Sequence, residues 1–437
     1  MGARETALNA LIACRVGGGW SNGVLKEYVS RDRLDGRDSA LAARLCYGVI
    51  QNRNYLDFYL QQLLTGKIKD LHPALRDILH LGLYQIYLMD KIPESAAVNE
   101  SVELAKKYCR KQKSAPGLVN AVLRNAVRTK GSLKEPNSWE DKYSHPGDLI
   151  NVLKSYVGKE RLESVLRANN AIAPMTVQVN TLHTSADELI NRLEQEGVTA
   201  ERHPWLENCL ILSGTGSIEH LKSFREGDFY VQDGAAKLSV LCAEIRPDQK
   251  VLDCCAAPGG KSFAAAMAMQ GQGSIISCDV HGHKIELIAK GAARLGITAI
   301  QAKQQDATVF CPDWEQQMDT VIADVPCSGL GIIRKKPDIR YKDLSGLSEL
   351  PALQKKILAN AARYVKPGGL LLYATCTLVQ AENEDVVEDF LHSHPDFTTE
   401  KLPLPAPFPK NESGMLALVP GEYDTDGFFF CRLRRNV

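Results

Sequence analysis

The feature that most constrains the fold is an alternation of short apolar runs and amphipathic segments that begins near Asp248 and continues towards the C-terminus. Such alternation is typical of a parallel sheet covered by helices on both faces. The sequence therefore predicts a doubly wound, Rossmann-like α/β domain over residues 236–437. Ligands of these sheets bind beyond the carboxyl ends of the strands, so the residues that follow each apolar run are the candidate functional residues.

A turn of small residues follows the first apolar run, Val251-Leu252-Asp253, and leads into an alanine-rich helix. Paired glycines let a backbone approach a ligand closely, and a helix N-terminus favours an anionic group. The spacing fits neither GxGxxG nor a P-loop, so no pyrophosphate cradle is indicated. The turn consists of Cys254, Cys255, Ala256, Ala257, Pro258, Gly259, Gly260 and Lys261.

Acidic residues follow three later apolar runs, at Asp279, Asp306 and Asp324. Asp279 lies about 20 residues beyond the glycines, the spacing at which a carboxylate accepts hydrogen bonds from a ribose. Asp306 is placed to meet an adenine amine. One carboxylate, one ribose and one adenine describe S-adenosylmethionine, and we predict this cofactor. The alternative is an ordinary sheet whose acids only cap helices.

Two of the twelve cysteines close apolar runs in the same half of the chain. Cys327 follows Asp324-Val325-Pro326, and Cys376 follows Tyr373-Ala374-Thr375. A thiolate that adds to C6 of a cytosine raises the electron density at C5, which makes C5 a nucleophile. The reaction also needs a donor near N3, a role open to a protonated Asp324, and a base for the C5 proton. The remaining cysteines are interpreted as small buried hydrophobic residues or as lining of the cofactor turn.

The N-terminal part, residues 1–135, is predicted to be all helical from its 3.6-residue apolar period. A polar linker then leads to a small α+β region over residues 145–235. Two cationic runs are interpreted either as RNA phosphate contacts or as solvated surface. They are Lys106, Lys107, Arg110 and Lys111 in the helical part, and Arg334, Lys335 and Lys336 after the first cysteine run.

The bulk properties narrow the class of protein. Net charge is zero and the pI is about 7.1, so the average composition does not indicate a polyanion partner. No apolar run reaches the roughly 18 residues of a membrane span, and the first residues lack the pattern of a secretory signal. We therefore expect a cytoplasmic protein with reduced thiols, a monomer, and no metal site, because no CxxC pair is present.

The motifs resemble those of the RNA cytosine-C5 methyltransferase family, the RsmB/NOP/NSUN group, and the helical part resembles the NusB-like RNA-binding domain. Together they resemble the bacterial small-subunit ribosomal RNA branch of that family. The matching segments are Cys255–Lys261, Asp324–Gly331, Tyr373–Thr377, Glu382–Glu384 and Val231–Asp233, with Ala96–Ala105 and Leu118–Arg124 in the helical part. Gln178 departs from the pattern, since the family usually has an arginine there.

This resemblance implies methyl transfer from S-adenosylmethionine to C5 of a cytosine in 16S rRNA, of the cytosine-967 type. It implies that Cys376 attacks the base, that Cys327 assists product release, and that the cofactor contacts residues 254–261, Asp279, Asp306 and Asp324. The alternatives are a NusB-like RNA-binding or assembly factor with a vestigial catalytic half, a tRNA cytosine-C5 methyltransferase, and an amino-group methyltransferase. The last typically carries a Pro-Pro-aromatic turn where this chain has a Pro-Cys pair.

Overall fold

The computed structural model describes residues 1–17 and 20–437, which form two compact units. Unit 1 comprises Met1–Val152 and the short segment Lys335–Lys342, which we call the strap. Unit 2 comprises Leu153–Arg334 and Asp343–Val437. In this grouping the α+β region and the large sheet cluster together, and the strap belongs to the helical unit. The finer division into 1–135, 145–235 and 236–437 that the sequence predicts stays a prediction.

Unit 1 is helical over its described residues and buries its aliphatic faces in a single core. α8 lies inside the stretch that was interpreted as a linker, so part of that linker is helical. The helices are α1 (Ala3–Gly17), α2 (Ser21–Asp32), α3 (Gly36–Gln51), α4 (Arg53–Leu63), α5 (Pro73–Leu88), α6 (Glu94–Tyr108), α7 (Ala115–Arg128), α8 (Trp139–Tyr143) and the start of α9 (Gly147–Asn170).

The α+β region of unit 2 holds a four-stranded antiparallel sheet in the order β2-β3-β1-β4. The side chain of Asn180 ties it to the large sheet domain by donating to Gly227 O and Leu295 O, both at 2.8 Å. Gln178 is fully buried and donates to Gln232 O, so it faces the interior. The elements are β1 (Met175–Val179), α10 (Ala186–Gln195), β2 (Thr199–Arg202), β3 (Cys209–Ser213), α11 (Lys222–Arg225) and β4 (Phe229–Val231).

The large sheet of unit 2 has eight strands in the order β7-β6-β5-β8-β9-β12-β10, with β11 paired to β12. The first five are parallel and β12 is antiparallel to β9, which confirms the predicted doubly wound fold. The elements are α12 (Gly234–Leu241), β5 (Lys250–Asp253), α13 (Gly260–Ala268), β6 (Ser274–Asp279), α14 (Gly282–Arg294), β7 (Ile300–Gln304), β8 (Met318–Asp324), α15 (Leu350–Tyr364), β9 (Val365–Thr375), α16 (Glu384–Ser393), β10 (Phe397–Thr399), β11 (Met415–Leu418) and β12 (Phe428–Arg435).

Short 3₁₀ turns complete the secondary structure. They cover Ile68–Asp70, Ile218–His220, Pro312–Trp314, Pro337–Tyr341, Ser345–Ser348 and Gln380–Glu382. The turn Pro337–Tyr341 makes up most of the strap, and Gln380–Glu382 follows the second cysteine run.

Candidate active site

The carboxyl ends of the central strands form the candidate active site. β5 and β8 are neighbours in the sheet although β6 and β7 lie between them in the chain, so the strand order reverses at this point. Such a reversal opens a crevice outside the strand ends. The small-residue turn follows β5, the Cys327 loop follows β8 and Cys376 follows β9 directly, so the sheet brings the predicted residues to one edge.

The turn after β5 allows close backbone approach. Gly259 has φ +112°, and a Cβ at this position would lie 2.5 Å from the ring of Phe263, so a side chain is excluded. α13 begins at the next residue and turns its N-terminus towards the crevice. A glycine-lined turn at a helix N-terminus suits a small anionic group such as the carboxylate of an amino acid.

A buried carboxyl group lies beneath this turn. Asp253, the last residue of β5, accepts a hydrogen bond from Ser262 Oγ at 2.7 Å, and Ser262 accepts one from Ser277 at 2.7 Å. Burial raises the pKa of Asp253 from its ordinary value of 3.8 to about 7. The sequence identified Asp253 only as a strand end, and its burial shows that it supports the turn from below.

Asp279 and Asp306 follow the next two strands of the sheet. Asp279 is only 7% exposed, and its carboxylate accepts from His281 N at 3.0 Å and lies 3.4 Å from Lys284 Nζ. Asp306 is exposed two residues beyond β7, and bonds from Thr308 N and Oγ1 lower its pKa. The ribose contact expected of Asp279 and the adenine contact expected of Asp306 stay predictions.

Lys261 and Asp324 form an ion pair between the cofactor turn and the end of β8. Lys261 Nζ lies 2.6 Å from Asp324 Oδ2 and 5.0 Å from the ring centre of Phe428. Burial opposes the charge on Lys261, but the Asp324 carboxylate outweighs it and raises the pKa of the ammonium above its ordinary 10.5. Asp324 therefore accepts a hydrogen bond from Lys261, and its expected role as a donor near N3 of the base stays a prediction.

The two predicted thiols meet. Cys327 Sγ and Cys376 Sγ lie 3.2 Å apart as free thiols, and both side chains are partly exposed. The hydrogen bond to Cys376 and burial raise the pKa of Cys327 well above its ordinary value. Cys376 also contributes to the raised pKa of Lys261, so its sulfur lies within electrostatic reach of that ammonium.

Hydrogen bonds join the two cysteine loops to each other. Gly331 N donates to Cys376 O at 3.0 Å, and the hydroxyls of Ser328 and Thr377 lie 2.6 Å apart. Gly331 must be a glycine, because a Cβ there would lie 2.0 Å from the carbonyl oxygen of Gly427. The separation of the two sulfur atoms is therefore set by the loops as well as by the strands.

Glu382 connects the Cys327 loop to α15. Its buried carboxylate accepts from Ser328 N at 2.9 Å and from Gln354 Nε2 at 2.8 Å. Gln354 Nε2 also donates to Pro326 O at 2.9 Å. The sequence analysis named Glu382 only as part of a segment that resembles the family, and it did not identify Gln354. A polar residue on the apolar face of α15 was the one available signal.

The cationic runs have mixed surroundings. The Arg334 side chain is 2% exposed and pairs with Asp424 at 2.9 Å and Asp426 at 2.8 Å. This corrects the expectation that Arg334 contacts RNA, because its guanidinium is enclosed by two acids. Lys335 and Lys336 are exposed on the strap.

The cationic run at the end of α6 is partly paired with acids. Lys106 pairs with Glu103 and Lys107 with Glu5, whereas Arg110 and Lys111 are exposed beyond the helix.

Two kinds of feature are absent from residues 1–17 and 20–437. No helix in these ranges is both long and apolar enough to cross a membrane. The same residues contain no cluster of histidine, cysteine or acidic side chains that could hold a metal ion.

Comparison with protein-family models matches three segments of the chain. Residues 240–434 match 16S rRNA methyltransferase RsmB/F, and residues 1–128 match the NusB family. Residues 145–219 match the ferredoxin-like domain of RsmF/B-like methyltransferases. The three segments follow the order of the helical part, the α+β region and the large sheet.

Individual relatives cover almost the whole chain. The probable ribosomal RNA small subunit methyltransferase B of Bacillus subtilis is 35% identical over 99% of this chain and 98% of its own length. Ribosomal RNA small subunit methyltransferase B of Vibrio cholerae is 34% identical over 93% of this chain and 92% of its own. Among solved structures, PH0851 has a TM-score of 0.81 at 26% identity and covers 98% of both chains.

Proposed function

This chain belongs to the ribosomal RNA small subunit methyltransferase B family, and we propose that it methylates C5 of a cytosine in 16S rRNA, of the cytosine-967 type. S-adenosylmethionine is the methyl donor. The observation that carries the proposal is the pair of thiols 3.2 Å apart beside the Lys261–Asp324 ion pair. Methyl transfer to an amino group needs neither thiol, whereas C5 of cytosine must be activated by a nucleophile at C6.

We assign the attack on C6 to Cys376. The ammonium of Lys261 stabilises negative charge on the Cys376 sulfur, and in our assignment the Cys327 thiol, 3.2 Å away, is the donor of the hydrogen bond between the two sulfur atoms. Cys327 keeps its proton because its pKa is raised well above the ordinary value. We therefore assign the nucleophile to Cys376, the thiol within electrostatic reach of the Lys261 ammonium.

Lys261 is suited to stabilise the charge that the attack creates. Addition of the Cys376 thiolate to C6 moves an electron pair towards C5 and places negative charge on N3 and O2 of the ring. The Lys261 ammonium is the cation held between the thiols and the cofactor turn, and Asp324 fixes its position. We propose that Lys261 supplies the hydrogen-bond donor near N3 for which the sequence analysis considered a protonated Asp324.

The cofactor supplies an electrophilic methyl group, and the edge of the sheet fits its parts. We propose that the backbone of residues 255–261 holds its carboxylate at the start of α13, that Asp279 accepts bonds from its ribose, and that Asp306 accepts one from its adenine amine.

Release reverses the covalent step. The C5 proton leaves to solvent, its bonding electrons restore the C5–C6 double bond, and the C6–S bond breaks with its electrons returning to Cys376. The Cys327 thiol, 3.2 Å from that sulfur, stabilises the departing thiolate by hydrogen bonding. Without this donor we expect the adduct to persist.

The test is methylation of a 16S rRNA transcript by the purified chain, read by bisulfite sequencing and by nucleoside mass spectrometry. We expect 5-methylcytosine at one site with the wild type and a loss of about a thousand-fold or more with Cys376→Ala. Cys311→Ala, a partly exposed cysteine away from the crevice, is the matched control. Methylation by the Cys376 variant, or a methyl group on an exocyclic nitrogen, would refute the assignment.

A transfer RNA substrate is the second candidate, since the chemistry at the crevice is the same for any cytosine. Offering both RNAs in one reaction separates them, because the methylated RNA is identified by sequencing. The match of residues 240–434 to 16S rRNA methyltransferases favours the ribosomal substrate. An assembly factor with a vestigial site is disfavoured, because it would not need two thiols and the Lys261–Asp324 ion pair at one edge.

A further inference from the structure

Unit 1 contains a cavity of about 390 Å³ that the proposed chemistry does not use. Its walls come from α1, α3, α4 and α5, from Trp20 at the start of α2, and from the strap residues Asp338 and Tyr341. A smaller cavity of about 220 Å³ shares Trp20 and Asp338 with it and is bordered by Lys335 and Lys336. Pockets for small organic ligands begin at roughly 300 Å³, so the larger cavity can hold one nucleotide.

The strap wall of this cavity is held rigidly. Arg340 is 1% exposed and donates to the carbonyl oxygens of Gln51, Tyr143 and Ser144 at 3.1 to 3.2 Å. Asp338 accepts from Ser21 N at 3.3 Å, at the first residue of α2. A wall fixed in this way costs little ordering entropy when a ligand binds, so the cavity is preorganised.

The exposed surfaces of the cavity are flat and aromatic or cationic. Trp20 is 53% exposed and lines both cavities, so its ring is accessible to a ligand. The guanidinium of Arg53 lies over the Tyr341 ring at 4.4 Å from its centre. Unstacked RNA bases bind by stacking on aromatic rings and on guanidinium planes, and both kinds of surface are present here.

The charges around the cavity favour an anionic ligand. Asp77 is paired with Arg15 at 3.2 Å, and Asp338 accepts from the start of α2, so both acids of the wall are engaged. Burial raises the pKa of Cys14 to about 11, and its thiol stays neutral. Among the residues that line the cavity, the cations Arg15, Arg53 and Lys342 outnumber the acids Asp77 and Asp338 by one charge, which suits a phosphate.

We propose that this cavity binds one unstacked nucleotide of the RNA substrate, with its base against Trp20 and the Arg53–Tyr341 stack. The inference rests on the proposed function, since it takes the RNA to be the substrate. The strap follows the Cys327 loop directly in the chain. The nucleotide would therefore bind to a segment that is covalently continuous with the loop that carries a reacting thiol.

The test measures KM and kcat for methylation of a 16S rRNA transcript by the full chain. Stacking of one base is worth about 1–3 kcal/mol, so we expect Trp20→Ala to raise KM about ten-fold at unchanged kcat. Trp20→Phe keeps a stacking face and should recover most of the affinity. Arg53→Glu should raise KM further, whereas Arg44→Glu, an exposed arginine on α3 outside the cavity, should not.

Crosslinking gives a readout that does not depend on catalysis. RNA carrying 4-thiouridine, irradiated with the full chain, should crosslink to Trp20 or Tyr341, and Trp20→Ala should reduce the yield. An unchanged KM in both Trp20→Ala and Arg53→Glu would overturn the cavity assignment and leave the methyltransferase function standing. Crosslinks at the cavity in a chain that does not methylate C5 would overturn the methyltransferase function and leave the cavity assignment standing. If the variants impaired methylation of assembled small subunits but not of free RNA, a protein ligand would replace RNA in the cavity.

Discussion

Two regions of the molecule are built in opposite ways. One is the thiol edge of unit 2, which is the set of strand ends and loops that carries Cys327 and Cys376, and the other is the cavity of unit 1. At the thiol edge, contiguous motifs supply the reacting groups, and hydrogen bonds between loops such as Gly331–Cys376 set their separation. The cavity draws its walls from four helices and from the strap, which follows Arg334 in the chain. The comparison shows that the chemistry of this protein is encoded locally, whereas the surface proposed for recognition is assembled from distant segments.

We expect Cys327→Ala to have the largest effect, and we expect that effect to be on turnover at the thiol edge alone. The variant lacks the donor that stabilises the departing Cys376 thiolate, so turnover should fall about a thousand-fold while the adduct accumulates. A denaturing gel should show a slower band that contains both protein and RNA. RNA affinity, measured by filter binding, should match that of Cys311→Ala. Normal turnover by Cys327→Ala would remove the release role of this thiol.

Arg340→Met should affect unit 1 and spare the thiol edge. Loss of the guanidinium leaves three backbone carbonyl oxygens without this donor, and we expect unit 1 to lose about 2–4 kcal/mol of unfolding free energy in urea. RNA affinity should fall because the strap wall loosens, whereas cofactor affinity measured by calorimetry should not change. Arg340→Lys keeps the charge but not the planar fork, so its unfolding free energy and RNA affinity should lie between those of the wild type and Arg340→Met. An equal loss of cofactor affinity would show that the two regions are not separable in this way.

Much of the fold and of the reacting set could be predicted from the sequence. The parallel sheet, the turn at 254–261 and both thiols follow from short, contiguous patterns that end strands. The Lys261–Asp324 ion pair could not be predicted, because each residue had a separate local interpretation as a cofactor contact. Gln354 lies in an apolar helix face with no local signature, and its partner Glu382 is close only in the folded chain.

The cationic run at 334–336 shows why local patterns mislead. The sequence presents three adjacent cations that look equivalent. In the structure, Arg334 is enclosed by Asp424 and Asp426, about ninety residues further along the chain, whereas Lys335 and Lys336 lie on the strap in the other unit. Long-range pairing of this kind depends on tertiary structure, which neither composition nor periodicity reports.

Glu382→Gln should produce a moderate effect on the geometry of the thiol edge. Ser328 N and Gln354 Nε2 both donate to Oε2 of Glu382, and glutamine keeps one oxygen for them but lacks the negative charge that strengthens the two bonds. We expect kcat to fall roughly 10- to 100-fold with KM for RNA unchanged, the range for loss of a charge-assisted bond that positions a reacting group. Glu388→Gln, on the exposed side of α16, is the matched control. A rise in KM instead would place Glu382 in RNA binding.

Asp253→Asn should produce the smallest effect, visible only in the pH dependence of stability. The folded chain holds the Asp253 proton up to about pH 7, whereas the unfolded chain releases it near its ordinary pKa of 3.8. Between these values the folded state binds more protons, so this residue makes the wild type less stable as pH rises. Asparagine does not titrate and can still accept a hydrogen bond from Ser262. The unfolding free energy of the variant should therefore not fall in this way as pH rises.

The expected difference is about 1 kcal/mol between roughly pH 5 and pH 6, measured as the change in unfolding free energy from urea titrations of both proteins. Asp279→Asn serves as the comparison, because its carboxylate lies at the same sheet edge but accepts from a backbone N–H and lies near Lys284. If Asp253→Asn kept the wild-type slope, the buried carboxyl would be ionised throughout. The turn after β5 would then rest on a charge rather than on a neutral hydrogen-bonded group, and the cofactor edge would be built like the Lys261–Asp324 pair beside it.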